Sequence, residues 1–236
     1  MSNHQSLEES DLASPELSPS RIPRTPGKRG ERQDAIPRKS VYRLSIYQRC
    51  LRKLKDNHVV TVSSEALARA AGVKSTQLRK DLAYFGQFGT RGLGYNVDAL
   101  ESIIDNVLGT NKLQPVILIG AGNLGCALLR YQGFNKEGFE ILAAFDADIS
   151  RPRSSDLRAP MRPMGELTAF VRETGVKMAI LTVPANFAQQ VTNEIVAAGI
   201  QAILNFSPTL LEVPDNVVVS NVDLAVELEN LSYFIR

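Results

Sequence analysis

Val116-Ile117-Leu118-Ile119-Gly120-Ala121-Gly122-Asn123-Leu124-Gly125 runs four aliphatic residues straight into a G-x-G-x-x-G. The pattern reads as a buried strand delivering a phosphate-binding turn. Gly120 permits the tight turn, Gly122 lets backbone N–H groups approach a pyrophosphate, and Gly125 lets the following helix pack close to the strand. The N-terminus of that helix then faces the anion with unpaired amides and the positive end of its dipole. A second strand-like stretch, residues 140–146, ends at Asp146, about 20 residues beyond Gly125, where a dinucleotide fingerprint places an acid for the ribose hydroxyls. Strand, glycines, helix and acid in this register predict a dinucleotide site, against the alternative of a purely structural turn.

Downstream of the turn, strands and helices alternate. Residues 124–131 and 166–174 read as helices, and residues 178–182 as a strand ending at Val183-Pro184. Phe187, Val191 and Ile195 stripe a further helix that stops at Gly199. Residues 202–205 form a strand running into Phe206-Ser207-Pro208, and residues 217–219 another. This alternation predicts a parallel, doubly wound α/β sheet, in which ligands sit beyond the carboxyl ends of the strands. The loops after Thr182 and Asn205 therefore join Gly120–Gly125 and Asp146 around one crevice. Residues 148–163, with four Arg and three Pro, read as an irregular loop. At the end of the chain Leu224, Leu228, Leu231 and Ile235, widened by Val226 and Phe234, make an apolar helix that needs a cover, either its own sheet or a second subunit.

Upstream, charge divides the chain. Residues 1–37 carry five Lys/Arg against six Asp/Glu, residues 38–95 twelve against three, and residues 96–236 ten against sixteen, giving nets of −1, +9 and −6. A basic module joined to an acidic one points to a polyanion partner for the first. In the basic module Leu44, Tyr47, Leu51 and Leu54 stripe one helix. Residues 58–62 read as a short strand. Ser63 or Ser64 then caps a helix with Leu67, Ala70 and Ala71 inward, and Gly72-Val73 closes it. Ser75 caps the next helix, where Leu78, Leu82 and Phe85 share a face, Thr76, Gln77, Lys80 and Tyr84 point away, and Arg79 sits on the shoulder. Two short helices across a glycine turn make a helix-turn-helix. Four glycines in residues 86–94 exclude helix and suit a tight wing with Arg91 at its tip beside Gly92. Polar side chains on the second helix and an arginine on a glycine-rich loop suit the two grooves of DNA, against the alternative of a solvated basic face. Asp98 opens a helix with Leu100, Ile103, Ile104, Val107 and Leu108 inward, and residues 110–115 are the domain boundary.

The chain of 236 residues, 44% hydrophobic and 22% charged, has no membrane-length apolar run, and residues 1–20 lack the apolar core of a signal peptide. A cytoplasmic protein with no membrane contact is expected. Residues 1–37, rich in Ser and Pro, read as a disordered arm, either a solvated tail or one whose basic cluster from Arg21 to Arg32 touches nucleic-acid phosphates. Cys50 and Cys126 have no metal-ligand spacing and are expected to be reduced, buried and uninvolved in metal binding.

The order Leu78-Arg79-Lys80-Asp81-Leu82, Tyr84-Phe85-Gly86, Gly89-Thr90-Arg91-Gly92-Leu93-Gly94-Tyr95, Gly120–Gly125, Leu181-Thr182-Val183-Pro184, Asn205-Phe206-Ser207-Pro208 and Asn221-Val222-Asp223 resembles the Rex family of redox-sensing transcriptional repressors over residues 38–236. The resemblance implies a winged-helix DNA-binding domain at 38–110, a Rossmann-like NAD(H)-binding domain at 111–222 and a domain-swapped dimerisation helix at 223–236. It also implies a homodimer that binds a palindromic double-stranded operator and leaves it when NADH binds. The family's recognition helix falls on residues 75–85, with Arg79 and Lys80 at matching positions, and its minor-groove arginine on Arg91. Its cofactor positions fall on Gly120, Gly122, Asn123, Gly125, Asp146, Thr182, Pro184 and Asn205, and Ala121, Leu124, Val183 and Phe206 complete the same loops. A polar switch falls on Arg49, Tyr131 and the partner's Asp223. Leu224 stands where some members place a Phe against the nicotinamide. Two further readings, an NAD-dependent oxidoreductase and a CoA- or nucleotide-binding module, use the second half alone. Residues 96–236 contain no His and no Tyr-x-x-x-Lys pair, so hydride chemistry has no proton donor there and no catalytic residue is assigned. The basic winged helix argues against the second.

Overall fold

The computed structural model describes residues 36–89, 92–150 and 157–235. Helix α1 (Arg38–Asp56) buries Leu44, Tyr47 and Leu51, the first three members of the predicted stripe, with Leu54 packed beside them. It is followed by β1 (Thr61–Val62), α2 (Ser64–Ala70), α3 (Ser75–Ala83), β2 (Tyr95–Asn96) and α4 (Val97–Leu108). Ser63 caps α2 by accepting from the Ala66 amide, and Asn96 caps α4 by accepting from the Ala99 amide, so that α4 starts at Val97, one residue before the predicted start. The strand expected over residues 58–62 shrinks to two residues. Thr61 and Val62 pair antiparallel with Asn96 and Tyr95. The glycines make this approach possible: a Cβ on Gly94 would run into the Val62 carbonyl, and one on Gly89 would lie 2.6 Å from the Gly94 carbonyl oxygen. Leu67, Leu78, Leu82, Tyr95, Val97, Leu100 and Ile104 complete a core separate from that of the second half.

The second half holds β3 (Gln114–Ile119), α5 (Asn123–Arg130), α6 (Gly133–Lys136), β4 (Phe139–Asp146), β5 (Met161–Pro163), a 3-10 turn (Met164–Glu166), α7 (Leu167–Thr174), β6 (Met178–Leu181), α8 (Ala185–Ala198), β7 (Ala202–Asn205), β8 (Val218–Asn221) and α9 (Leu224–Phe234). Its six strands are all parallel, in the order β5-β4-β3-β6-β7-β8. The order reverses between β3 and β6, and that switch point opens a crevice at the carboxyl ends of the strands. β5 lies inside the stretch expected to be irregular. Its three residues, flanked by Pro160 and ending in Pro163, occupy a sheet edge, where proline is tolerated and alternation is too short to see. Met178–Leu181 and Ala202–Asn205 fall where the alternation placed strands.

Because crossovers in a parallel sheet keep one hand, the helices on either side of the switch point lie on opposite faces of the sheet. α7 and α8 cover one face, with Ile117, Ile119, Phe145, Leu181 and Ile203 inward. α5 and α6 lie on the other, over Val116, Leu118 and Ala144. That second face is left open beneath β6, β7 and β8, where an apolar groove of about 340 Å³ runs along Met178, Ala202, Leu204 and Val218 to Tyr131 and Phe134. α9 does not fill it. No residue of α9 is buried, and Leu228, Leu231 and Phe234 are 67%, 62% and 79% exposed. Of the two covers expected for this helix, its own sheet is excluded.

Candidate functional site: a dinucleotide crevice and a basic winged helix

β3 delivers the glycine turn to the switch point. Gly120 has φ +91°, and a Cβ there would lie 2.8 Å from Val183 Cγ1 and 3.0 Å from the Thr182 carbonyl oxygen, so the turn and the end of β6 are in contact. A Cβ on Gly125 would collide with the Gly120 carbonyl oxygen; this glycine sets how closely α5 follows the strand. Gly122 differs. It is the N-cap of α5, has no side chain to cap the helix, and a Cβ there would meet nothing within 4 Å. The first-turn amides, including those of Asn123 and Leu124, therefore border open space at a positive helix end, which fits a pyrophosphate.

Asp146, at the end of β4, reaches this turn: its Oδ2 accepts from the Ala121 amide at 2.6 Å and its Oδ1 from the Asp148 amide at 2.9 Å. A bulge puts it there. Val116 pairs with Ile141 but Ile117 with Ala143, leaving Leu142 unmatched and reversing the facing of every later residue in β4. Thr182 Oγ1 lies 2.5 Å from the Gly120 carbonyl and 3.1 Å from that of Ile119, so its hydroxyl ties β6 to the turn. Pro184 follows as the N-cap of α8. Asn205 is wholly buried. Its amide donates to the Ser207 and Thr209 carbonyls and to Asn221 Oδ1, and its Oδ1 accepts from the Ser207 amide. It shapes the loop carrying Phe206 rather than facing the crevice with its side chain. On that loop Ser207 Oγ is buried without a hydrogen-bond partner among the described residues, a polar atom suited to a bound ligand.

In the winged helix, Thr76, Arg79 and Lys80 on α3 and Tyr84 at its C-cap are exposed, and Arg79 Nη1 lies 3.3 Å from Ser64 Oγ on α2. Ser75 is the first residue of α3, the N-cap being Lys74. Gln77 does not point away. It is half-buried, and its amide donates to Asp81 Oδ1 at 2.9 Å, because Asp81 lies inside. Gly92 is exposed with φ +86°; Arg91 lies outside the described residues, as do Arg151 and Arg153.

Asp81 and its partners, distant in sequence, form a buried polar cluster. This carboxylate, on the buried face of α3 between Leu78 and Leu82, accepts from Arg43 Nε and Nη2 at 2.5 and 2.7 Å and from Tyr47 Oη at 2.8 Å. Burial alone would raise its pKa, but the hydrogen bonds from Arg43, Tyr47 and Gln77 outweigh it and bring the carboxyl down to about 2. Burial, with the Asp81 carboxylate, pushes the Tyr47 phenol up. The sequence signal was an acid on an otherwise apolar helix face, with an Arg and a Tyr four apart on α1.

Arg49 and Tyr131 line the apolar groove together, and Arg49 Nε lies 3.8 Å from Glu137. Tyr131 meets the Phe134 ring edge to face at 5.1 Å. Asp223 caps its own α9, accepting from the Ala225 and Val226 amides, and Leu224 is exposed. Cys50 and Cys126 are free and half-buried rather than buried, and Cys126 Sγ donates to the Ala121 carbonyl. No helix among the described residues is long and apolar enough to cross a membrane.

Residues 35–83 match a family model described as "Putative DNA-binding protein N-terminus", and residues 111–209 one described as "CoA binding domain". A protein of Pelotomaculum thermopropionicum named redox-sensing transcriptional repressor Rex is 46% identical over 84% of this chain and 93% of its own. One of Streptomyces coelicolor with the same name is 45% identical over 86% of this chain and 78% of its own. Among solved structures, RSP in complex with β-NAD⁺ and operator DNA is 37% identical, covers 85% of this chain and 92% of its own, and superposes with a TM-score of 0.78. RSP in complex with β-NADH is 35% identical, with 85% and 94% covered and a TM-score of 0.75.

Proposed function

Since the chain belongs to the Rex family of redox-sensing transcriptional repressors, we propose that the glycine crevice and the winged helix are its sensor and its reader, coupled within a homodimer. The protein is a DNA-binding repressor that responds to NAD(H), not an enzyme. The CoA-type model covers only the nucleotide-binding half, whereas the relatives match both. The observation carrying the reading is the junction in one chain of two built surfaces: the Gly122 opening at the α5 N-terminus, with Asp146 beside it, and the exposed Arg79 and Lys80 on α3.

Gly122, Asn123 and Leu124 hold the pyrophosphate on α5 amides, and Asp146 accepts from the adenosine ribose. Its charge would repel a 2′-phosphate, which selects NAD(H) over NADP(H). Val183, Pro184 and Phe206, with Leu224 of the partner subunit, wall the nicotinamide end. The dinucleotide supplies a signal, a ring that is cationic when oxidised and neutral when reduced. An apolar wall disfavours an uncompensated cation, so the closed crevice accepts the reduced ring better. Asp223 of the partner subunit pairs with Arg49 in the DNA-competent dimer and turns to Tyr131 in the closed one; Arg49 and Tyr131 already share one groove. The α9 of a second copy fills that groove, which makes residues 223–236 the swapped element and residues 38–110 and 111–222 the two domains it bridges. Ser75, Thr76, Arg79, Lys80 and Tyr84 face the major groove of a palindromic operator, with Gln77 acting through Asp81, and Arg91 beside Gly92 enters the minor groove. A repressor of this kind works in the bacterial cytoplasm, where the chromosome is.

The test is an operator-release titration of the pure protein with NADH, NAD⁺ and CoA in turn. NADH should release the duplex at far lower concentration than NAD⁺, and CoA should not release it. Equal release by NADH and NAD⁺ would remove the redox reading, and release by CoA alone would favour the CoA-type module.

A further inference from the structure

One guanidinium joins the two halves of the chain through a contact that neither the crevice nor the DNA surface requires. Arg52 of α1 donates through Nη1 to Glu137 Oε2 at 2.8 Å and to the Lys136 carbonyl at 3.2 Å. Through Nη2 it reaches Asp105 at 3.2 Å, and its Nε lies 3.6 Å from Glu101. Glu101 and Asp105 belong to α4, in the same domain as α1. Of the acids that ring Arg52, Glu137 comes from across the boundary, and it also takes Arg49 at 3.8 Å.

The turn that carries Glu137 is seated firmly. Gly138, with φ +86°, packs so that a Cβ would lie 3.0 Å from the Thr110 carbonyl oxygen, and its own carbonyl accepts from the Gln114 amide at 2.8 Å. Thr110 Oγ1 and the Gln48 amide both converge on Asp105 Oδ1, and Gln48 also donates to Thr110 Oγ1. Glu137 therefore moves with β3 and β4. At its other end α1 is fixed to the recognition helix through Arg43, Tyr47 and Asp81. α1 is thus a rod held to α3 at one end and to the nucleotide-binding half at the other.

We propose that Glu137 is a positioning residue for operator binding: by pairing with Arg52, and with Arg49 beside it, it sets the angle at which α1 and α3 stand on the nucleotide-binding domain. The inference rests on the DNA-binding reading above. Two heads bound to a two-fold site must present their recognition helices at a fixed half-site spacing, so a head free to swing loses affinity with every DNA contact intact. The sign of the effect separates this role from simple electrostatics. Neutralising an acid on a protein that binds a polyanion raises affinity through the long-range field, whereas loss of the angle lowers it. Glu137→Gln is a clean probe, because Glu101 and Asp105 still compensate Arg52.

The full-length native protein, Glu137→Gln, Arg52→Gln and the double variant are titrated, by fluorescence anisotropy, onto a palindromic duplex obtained by in vitro selection with the native protein. Glu137→Gln should bind about fivefold to tenfold more weakly, the carboxylate being lost from both subunits of the dimer, with an unchanged salt slope. In the Arg52→Gln background the same change should have less than half that effect. Hydrogen exchange without DNA supplies a second readout: amides around Thr110 and Gly138 should exchange faster in Glu137→Gln. Operator affinity equal to or above native overturns the proposal, as does an undiminished effect in the Arg52→Gln background. Should selection yield no duplex for the native protein, the DNA-binding reading fails instead. Exchange then decides the positioning of the domain by itself, and equal rates in the two proteins overturn it.

Discussion

Asp81 anchors α3, the helix proposed to read DNA, from its buried side. Its side chain is buried while that of Lys80, the residue before it, is exposed, and its ion pair with Arg43 holds α3 against α1. Removing one partner of a buried pair leaves the other's charge uncompensated, so Asp81→Asn should cost about 3 kcal/mol in urea unfolding. The pH dependence has a definite sign. The folded carboxyl, at about 2, lies below an unfolded value of about 3.9, so its contribution is complete above that value and is lost as pH falls toward 2. Stability of the native protein should fall over this window, and Asp81→Asn should flatten that part of the profile; parallel profiles would show that Asp81 does not titrate there. A second residue-scale prediction separates two glycines of one motif. Gly122→Ala places a methyl in open space, so thermal stability should be kept while NADH affinity, by calorimetry, falls at least about tenfold through lost close approach. Gly125→Ala drives a methyl into the Gly120 carbonyl and should lower both. Full NADH affinity in Gly122→Ala would move the pyrophosphate elsewhere.

Among the elements, α9 stands apart, since it is an apolar helix with no buried residue on a chain whose sheet carries an open apolar groove. Exposed apolar surface of this extent marks an interface. The groove arises from the order of the strands: α7 and α8 both lie on one face, leaving the other bare beneath β6 to β8. Deleting residues 224–236 should convert the dimer to a monomer in sedimentation equilibrium and abolish tight operator binding, because each half-site alone gives only part of the affinity. Leu228→Asp with Leu231→Asp should act in the same direction without shortening the chain. A dimeric truncated protein would assign the groove to some other occupant.

At the scale of the whole molecule, the coupling of crevice to recognition helix proposed above obliges the two ligands to act on each other equally. If NADH weakens operator binding by a given factor, saturating operator must weaken NADH binding by the same factor, typically worth about 1 to 3 kcal/mol. A ligand shifts the dimer only through its differential affinity for the two states. NADH affinity should therefore be measured with and without operator in the native protein and in Asp223→Ala. Equal affinities in the native protein would refute the coupling, and unaltered coupling in Asp223→Ala would remove that side chain from the route.

Much of this was legible from the chain alone wherever the cause is local. The glycine turn, the strand before it, the helix-turn-helix and the apolar last helix each follow from backbone freedom, side-chain periodicity or capping within a few residues, and each stands where the sequence places it. The acid at Asp146 was legible by its spacing from Gly125. What only the tertiary structure decided depends on residues far apart. The bulge at Leu142 turns Asp146 to the glycine turn, and no alternation within β4 reveals it because it exists only relative to β3. The edge strand β5 takes its conformation from β4, since three residues between prolines have no preference strong enough to impose one. Asp81 is an ordinary polar residue of a basic helix until Arg43 and Tyr47, 38 and 34 residues earlier, close over it. The pairing of Arg52 with Glu137 spans 85 residues and two domains. Such contacts are set by where the cores force the helices to pack, and that packing is a property of the folded chain rather than of any stretch within it.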